Sequence, residues 1–179
     1  MTVFVAGVHG VGKTYLCQQY AGAFPVLHES ASGLIRRERA QADWSVDKRV
    51  ANVDDNQVAL GRAVRRITSK GGLLLLDGHF VLINERAEFV NLEIPVFESL
   101  GIRGVVLVEA SPETIASRLA GRDSSRSAVD IESFIEEERN SAKAICGSLG
   151  VALEILFEPD YLIFSRAVLA MFDSAKREW

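Results

Sequence analysis

The chain has 179 residues, 48% of them hydrophobic and 25% charged, with a formal net charge of −4. That length and apolar content suit one compact domain with a full core, and the acidic balance excludes the bulk basic field that draws nucleic acid through its phosphates. Its two cysteines, Cys17 and Cys146, lie far apart with no CxxC or Cys/His cluster nearby, and no apolar run approaches a bilayer span, so a disulfide framework, a zinc site and a membrane protein are set aside.

The first element is Thr2-Val3-Phe4-Val5-Ala6, apolar after Thr2 and closed by Gly7, which reads as a strand buried on both faces. Gly7-Val8-His9-Gly10-Val11-Gly12-Lys13-Thr14 follows and satisfies GxxxxGK[ST] in full, between that strand and a predicted helix. Glycines let successive backbone N–H groups point inward, and the helix behind them presents its positive dipole end to the same anion. The run predicts a nucleotide phosphate site formed by Gly7, His9, Gly10, Val11, Gly12, Lys13, Thr14 and Tyr15. Lys13 is expected to bridge the β- and γ-phosphates, and Thr14 to place its hydroxyl on Mg2+. His9 is given no chemistry beyond lining the site, and a bystander role is the plain alternative.

Residues 25–28 read as a second strand, leading into His28-Glu29-Ser30 and then Leu34-Ile35-Arg36-Arg37-Glu38-Arg39, a helical segment with three arginines. In a phosphoryl-transfer enzyme this region would hold the acceptor, with Arg36 on an acceptor phosphate and Glu29 near a sugar or the metal. An amphipathic helix with a basic outer face is the alternative. Val46, Val50, Val53, Gln57, Leu60, Val64 and Ile67 step by alternating fours and threes down one side of a long helix. Gln57 alone breaks the stripe, either to read a base edge with its amide or to bond a packed neighbour.

Leu73-Leu74-Leu75-Leu76-Asp77 has the form of an apolar strand ending in a carboxylate beside the phosphate loop, where Asp77 can hold Mg2+ directly or through water. A turn or cap would use such an acid too. Gly78-His79-Phe80 comes next, at the strand edge where open α/β sheets bind ligands, so His79 either touches the acceptor or packs locally. Residues 105–108 read as a further strand, and Ser111-Pro112-Glu113 supplies an N-cap, a first-turn proline and an early acid for a helix running to about Ala120.

Residues 121–129 are polar, rich in serine and arginine, and read as an exposed loop. Arg118, Arg122 and Arg126 fall at four-residue intervals with one nearby acid, Asp123, which points to an anion clamp rather than a solvated loop. Asp130 opens another helix with Ile131, Phe134, Ile135, Ala142 and Ile145 on its buried side. Residues 151–156 give the last strand, and Pro159-Asp160 start the last helix, with Leu162, Ile163, Val168, Leu169 and Phe172 as its apolar face. Strands alternating with helices predict one α/β domain over residues 1–179, three layers deep, with a mostly parallel five-stranded sheet.

Together, the runs GVHGVGKT, LLLLDGHFVL and GVVLVEASPETIASRLAGRDSSR and the helix from Asp130 resemble the adenylate kinase group of P-loop kinases, most of all the archaeal-type members with a short lid. The resemblance implies a sheet in the order 2-3-1-4-5, an acceptor-binding arm at about 29–69, a lid at about 118–129 and γ-phosphoryl transfer from MgATP. It also assigns the lid arginines to Arg118, Arg122 and Arg126 and the phosphate-loop lysine to Lys13. Members of that type commonly carry proline where His9 stands and a threonine-histidine pair where this chain has Gly78-His79, and residues 28–46 match poorly. The implied acceptor is therefore AMP first, with another nucleoside monophosphate, a nucleoside-like molecule or a non-nucleotide acceptor next. The competing class is an ATP-binding switch or slow ATPase acting on a protein partner; an arginine-rich segment supplied in cis favours the kinase. The short apolar start has no basic leader, and a cytoplasmic enzyme is expected.

Overall fold

The computed structural model describes residues 1–42, 53–84, 86–120 and 130–176. At its centre is β1 (Thr2–Ala6), buried at every position. It pairs in parallel with β3 (Leu74–Asp77) on one side and β6 (Ile102–Glu109) on the other. Outside these lie β2 (Leu27–Ser30) against β3 and β7 (Ala152–Phe157) against β6, again parallel. The order β2-β3-β1-β6-β7 is the predicted one, counted over the five strands that share this sheet.

Parallel neighbours require helical crossovers, and these build the two outer layers. Helices α1 (Lys13–Ala23) and α7 (Tyr161–Lys176) pack on one another and on the sheet, with Tyr20 stacked on Phe24 and edge-on to Phe164. The opposite layer holds α3 (Val53–Thr68), α4 (Ile94–Leu100) and α6 (Ile131–Leu149). Two further helices, α2 (Ala31–Ala42) and α5 (Pro112–Ala120), follow β2 and β6 at the carboxyl edge. As the sequence predicts, Ser111 caps α5, its Oγ accepting from the Thr114 amide at 3.1 Å.

The second strand begins two residues later than residues 25–28 would place it, because pairing with β3 decides it. Val26 spends its amide on the Phe24 carbonyl, and ladder contact starts when the Leu27 amide reaches the Leu73 carbonyl at 2.9 Å. The long helix is described from Val53 onward, so Val46 and Val50 lie outside the described residues. An antiparallel hairpin, β4 (Val81–Ile83) with β5 (Phe89–Asn91), and the α4 helix were not anticipated.

That insertion is held by aromatic packing. Phe4 of β1 meets Phe80 and Phe97 edge-on, with centroids at 5.3 and 5.6 Å, and Phe80 stacks on Phe97 at 4.6 Å. All three rings are essentially buried, each contributing about 1.5–3 kcal/mol by area. The same packing accounts for Gly78. A Cβ there would sit 2.8 Å from the Phe4 ring, so threonine has no room.

Candidate functional site

The phosphate loop leaves β1 at its carboxyl end and turns directly into α1. Gly7, Gly10 and Gly12 adopt φ of 141°, 90° and 99°, which side-chain-bearing residues rarely reach. At Gly7 a Cβ would also lie 2.2 Å from the Val108 carbonyl oxygen of β6. Gly12 caps α1 with no side-chain hydrogen bond, so the first-turn amides of the helix are left for an anion. Thr14 and Tyr15 are exposed at that first turn, and the Tyr15 hydroxyl accepts from Gln19 Nε2 at 3.0 Å.

Lys13 is turned inward and buried. Its Nζ lies 3.5 Å from the Val8 carbonyl and 3.4 Å from His79 Nε2. Burial depresses its pKa, and the charges of Asp77, Glu138 and Cys17 act in the opposite direction. His79 thus faces the loop lysine, and its ring lies against His9 with centroids 4.2 Å apart.

Asp77, at the end of β3, is buried and engaged. Its Oδ2 is 2.7 Å from His28 Nε2, with both side chains nearly closed off from solvent. Cys17, one turn beyond Lys13, completes a group in which thiol, imidazole and carboxylate ligand atoms all fall within 4.8 Å. Burial first, then the Asp77 charge, pushes the Cys17 thiol well above its usual pKa, so the neutral thiol is a poor ligand and the His28 imidazole and the Asp77 carboxylate remain. An exposed hydroxyl on Thr14 and a buried carboxylate on Asp77 fit Mg2+, which takes oxygen ligands.

Arg118 closes the loop from α5. Its Nη1 donates to the carbonyls of Gly10 at 3.1 Å and Val11 at 2.8 Å. Arg122 and Arg126 lie outside the described residues.

A further acid was missed by the sequence reading. Glu138 of α6, 1% exposed, accepts from the Gly7 amide at 3.2 Å, the Phe80 amide at 3.0 Å and the Val81 amide at 2.8 Å. Burial raises its pKa, while those backbone donors and Lys13 favour the ionised form. Its signal was available: Phe134, Glu138 and Ala142 step by four down the buried side of α6, so a charge interrupts an apolar stripe.

On the acceptor side the predicted residues are spread out. Glu29, at the end of β2, forms an ion pair with Arg37. Arg36 is exposed on α2. Gln57 on α3 is half-buried, and its Oε1 is buried with no hydrogen-bond partner among the described residues. Helices α2 and α3 are tied by Arg66 donating twice to Glu38, at 3.2 and 2.7 Å, and by Arg39 donating to Asn56 at 3.1 Å.

A family model described as an AAA domain matches residues 6–135, from the end of β1 into α6. The chain belongs to that family. This AAA domain has no match among curated proteins. The fold is shared with solved structures: a sugar kinase from Janibacter sp. HTCC2649, solved unliganded, superposes with a TM-score of 0.57 at 14% identity, covering 96% of this chain and 94% of that one. A gluconokinase from Sinorhizobium meliloti 1021 gives 0.55 at 16% identity, covering 99% and 94%. At such identities the likeness is one of fold. No helix among the described residues of the AAA domain is long and apolar enough to cross a membrane.

Proposed function

We propose that the protein transfers the γ-phosphoryl group of MgATP to a small acceptor. The observation that carries this reading is the buried Lys13 ammonium within a loop of three positive-φ glycines, ahead of a helix start that no side chain caps. Lys13 would hold the β- and γ-phosphates, and Gly7 through Tyr15 would supply the amides and walls of the site. Thr14 and Asp77 would hold Mg2+, which when bound neutralises charge on the phosphate oxygens. Arg118, with Arg122 and Arg126, would carry charge on the transferring group; residues 118–129 then act as the lid and 29–69 as the acceptor arm.

On the acceptor, resemblance at the ATP side favours a nucleoside monophosphate, with AMP first, Arg36 on its phosphate, Glu29 and His79 beside it and Gln57 on the base. The unpartnered Gln57 amide oxygen supports a polar ligand near α3. A second reading takes a hydroxyl-bearing sugar or sugar acid, supported by the names of the two superposing kinases. Cytoplasmic work on a small molecule suits either. ADP formation in the presence of Mg2+ and a panel of nucleoside monophosphates, nucleosides, sugars and sugar acids tests the proposal. One acceptor should raise the rate and yield its phosphate ester or anhydride; slow release with no acceptor dependence would favour a switch or ATPase acting on a protein partner.

A further inference from the structure

Glu138 lies beyond the stretch matched by the family model, which ends at residue 135, yet it reaches both halves of the phosphate site. Its Oε1 accepts from Gly7, the first residue of the loop, and both oxygens take the Phe80 amide, with Oε2 also taking Val81. On the near side of the same turn, the Gly78 amide donates to the Val5 carbonyl at 3.0 Å. His79 is therefore suspended between two pinned peptides. Its Nδ1 stands 3.9 Å from Glu138 Oε1 and its Nε2 3.4 Å from Lys13 Nζ.

We propose that Glu138 is a positioning residue that locks the loop entrance at Gly7 and the turn after Asp77 into one unit, fixing His79 against Lys13 and so setting affinity for nucleotide phosphates. This rests on the phosphate-site reading above. It carries a consequence of unusual sign. A buried carboxylate beside a phosphate site repels the ligand, so charge alone predicts that removing it tightens binding. Positioning predicts the reverse. In Glu138→Gln the shape is kept and the amide oxygen can still accept from Phe80 and one neighbour, but the nitrogen is a donor only, so either Gly7 or Val81 loses its acceptor and faces an N–H group. In Glu138→Asp the charge is kept, but the shorter side chain cannot span Gly7 and Val81 together.

The test is ADP binding by calorimetry on the wild type and both variants, each checked for folding by circular dichroism and thermal unfolding. Both variants should bind ADP at least about tenfold more weakly per folded molecule, in the range seen when outer-shell partners are removed. Equal or tighter binding by folded Glu138→Gln would overturn the proposal while leaving the phosphate site intact. A wild type that binds neither ADP nor ATP would instead sink the phosphate-site reading, and the proposal with it. Should neither variant fold, hydrogen exchange on the wild type decides: MgADP should slow exchange at Phe80 and Val81 as well as Gly7, and unchanged protection at Phe80 and Val81 would reject the coupling.

Discussion

His28 of β2 and Asp77 of β3 meet across neighbouring strands, Nε2 to Oδ2 at 2.7 Å, although strand register sets His28 beside Leu75 and Asp77 beside Ser30. The imidazole leans along its strand to hold one oxygen of the carboxylate. Asp77 Oδ1 is then oriented rather than free to rotate, as metal-ligating carboxylates usually are when a second group bonds them.

His28→Ala should therefore weaken Mg2+-dependent activity about 10–100-fold, with a higher metal requirement. Titrating activity with Mg2+ at saturating ATP reads this directly. Asparagine at the position, which can still donate, should recover part of the loss; full activity in the alanine variant would mean that Asp77 needs no partner.

Arg118 binds the carbonyls of Gly10 and Val11, so in this state it serves the loop before it serves any transferring group. Replacing it with alanine should raise the KM for ATP about tenfold. Lysine should restore only part of it: both bonds come from the single Nη1 nitrogen, and a strongly hydrated ammonium on a shorter stem must bring its donors to the same two carbonyls. If lysine restores wild-type kinetics, the contribution is charge and not geometry.

At Gly7 the backbone conformation and the Val108 carbonyl exclude any side chain together. Strain and overpacking each cost about 1–3 kcal/mol, so Gly7→Ala should lose several kcal/mol, of order half of a marginal stability. Urea unfolding measures it. A loss under about 1 kcal/mol would show that the loop relaxes away from β6.

Cys17 gives a pH prediction with a definite sign. Burial raises its thiol pKa above the ordinary 9.0, so the native state holds a proton that the unfolded chain gives up first. Stability from this group is intact below that value and is lost as pH rises from it through the folded pKa. Raising pH above 9.0 should therefore lower the melting temperature less in Cys17→Ala than in wild type. Native Cys17 should also resist alkylation until the protein unfolds. Rapid labelling of the folded protein would contradict its burial.

Local chemistry was legible in the sequence wherever one short segment decides it. The glycine-lysine loop, the Ser111 cap and the strand ending in Asp77 each fall where their residues predict. Contacts between distant segments were not legible. Gly7 and Glu138 are separated by 131 residues, and nothing near either one announces the other. His28 was read only as a strand end, because its partner belongs to a strand 49 residues on.

The hairpin was missed because three-residue strands are too short to show a period of two. α4 left clearer marks, a proline in its first turn and Gly101 in the left-handed conformation at its end, and these start and stop signals went unread. β2 slipped because an edge strand carrying His28, Glu29 and Ser30 is positioned by its neighbour and not by its own apolar content.

The central claim is phosphoryl transfer through Lys13, and the fate of the γ-phosphoryl label of ATP tests it most directly. Incubated with Mg2+ and the acceptor panel, the wild type should move the label to an organic product, and Lys13→Ala, still folded, should move none. Label appearing only as inorganic phosphate whatever the acceptor, or transfer at the wild-type rate without Lys13, would contradict the account.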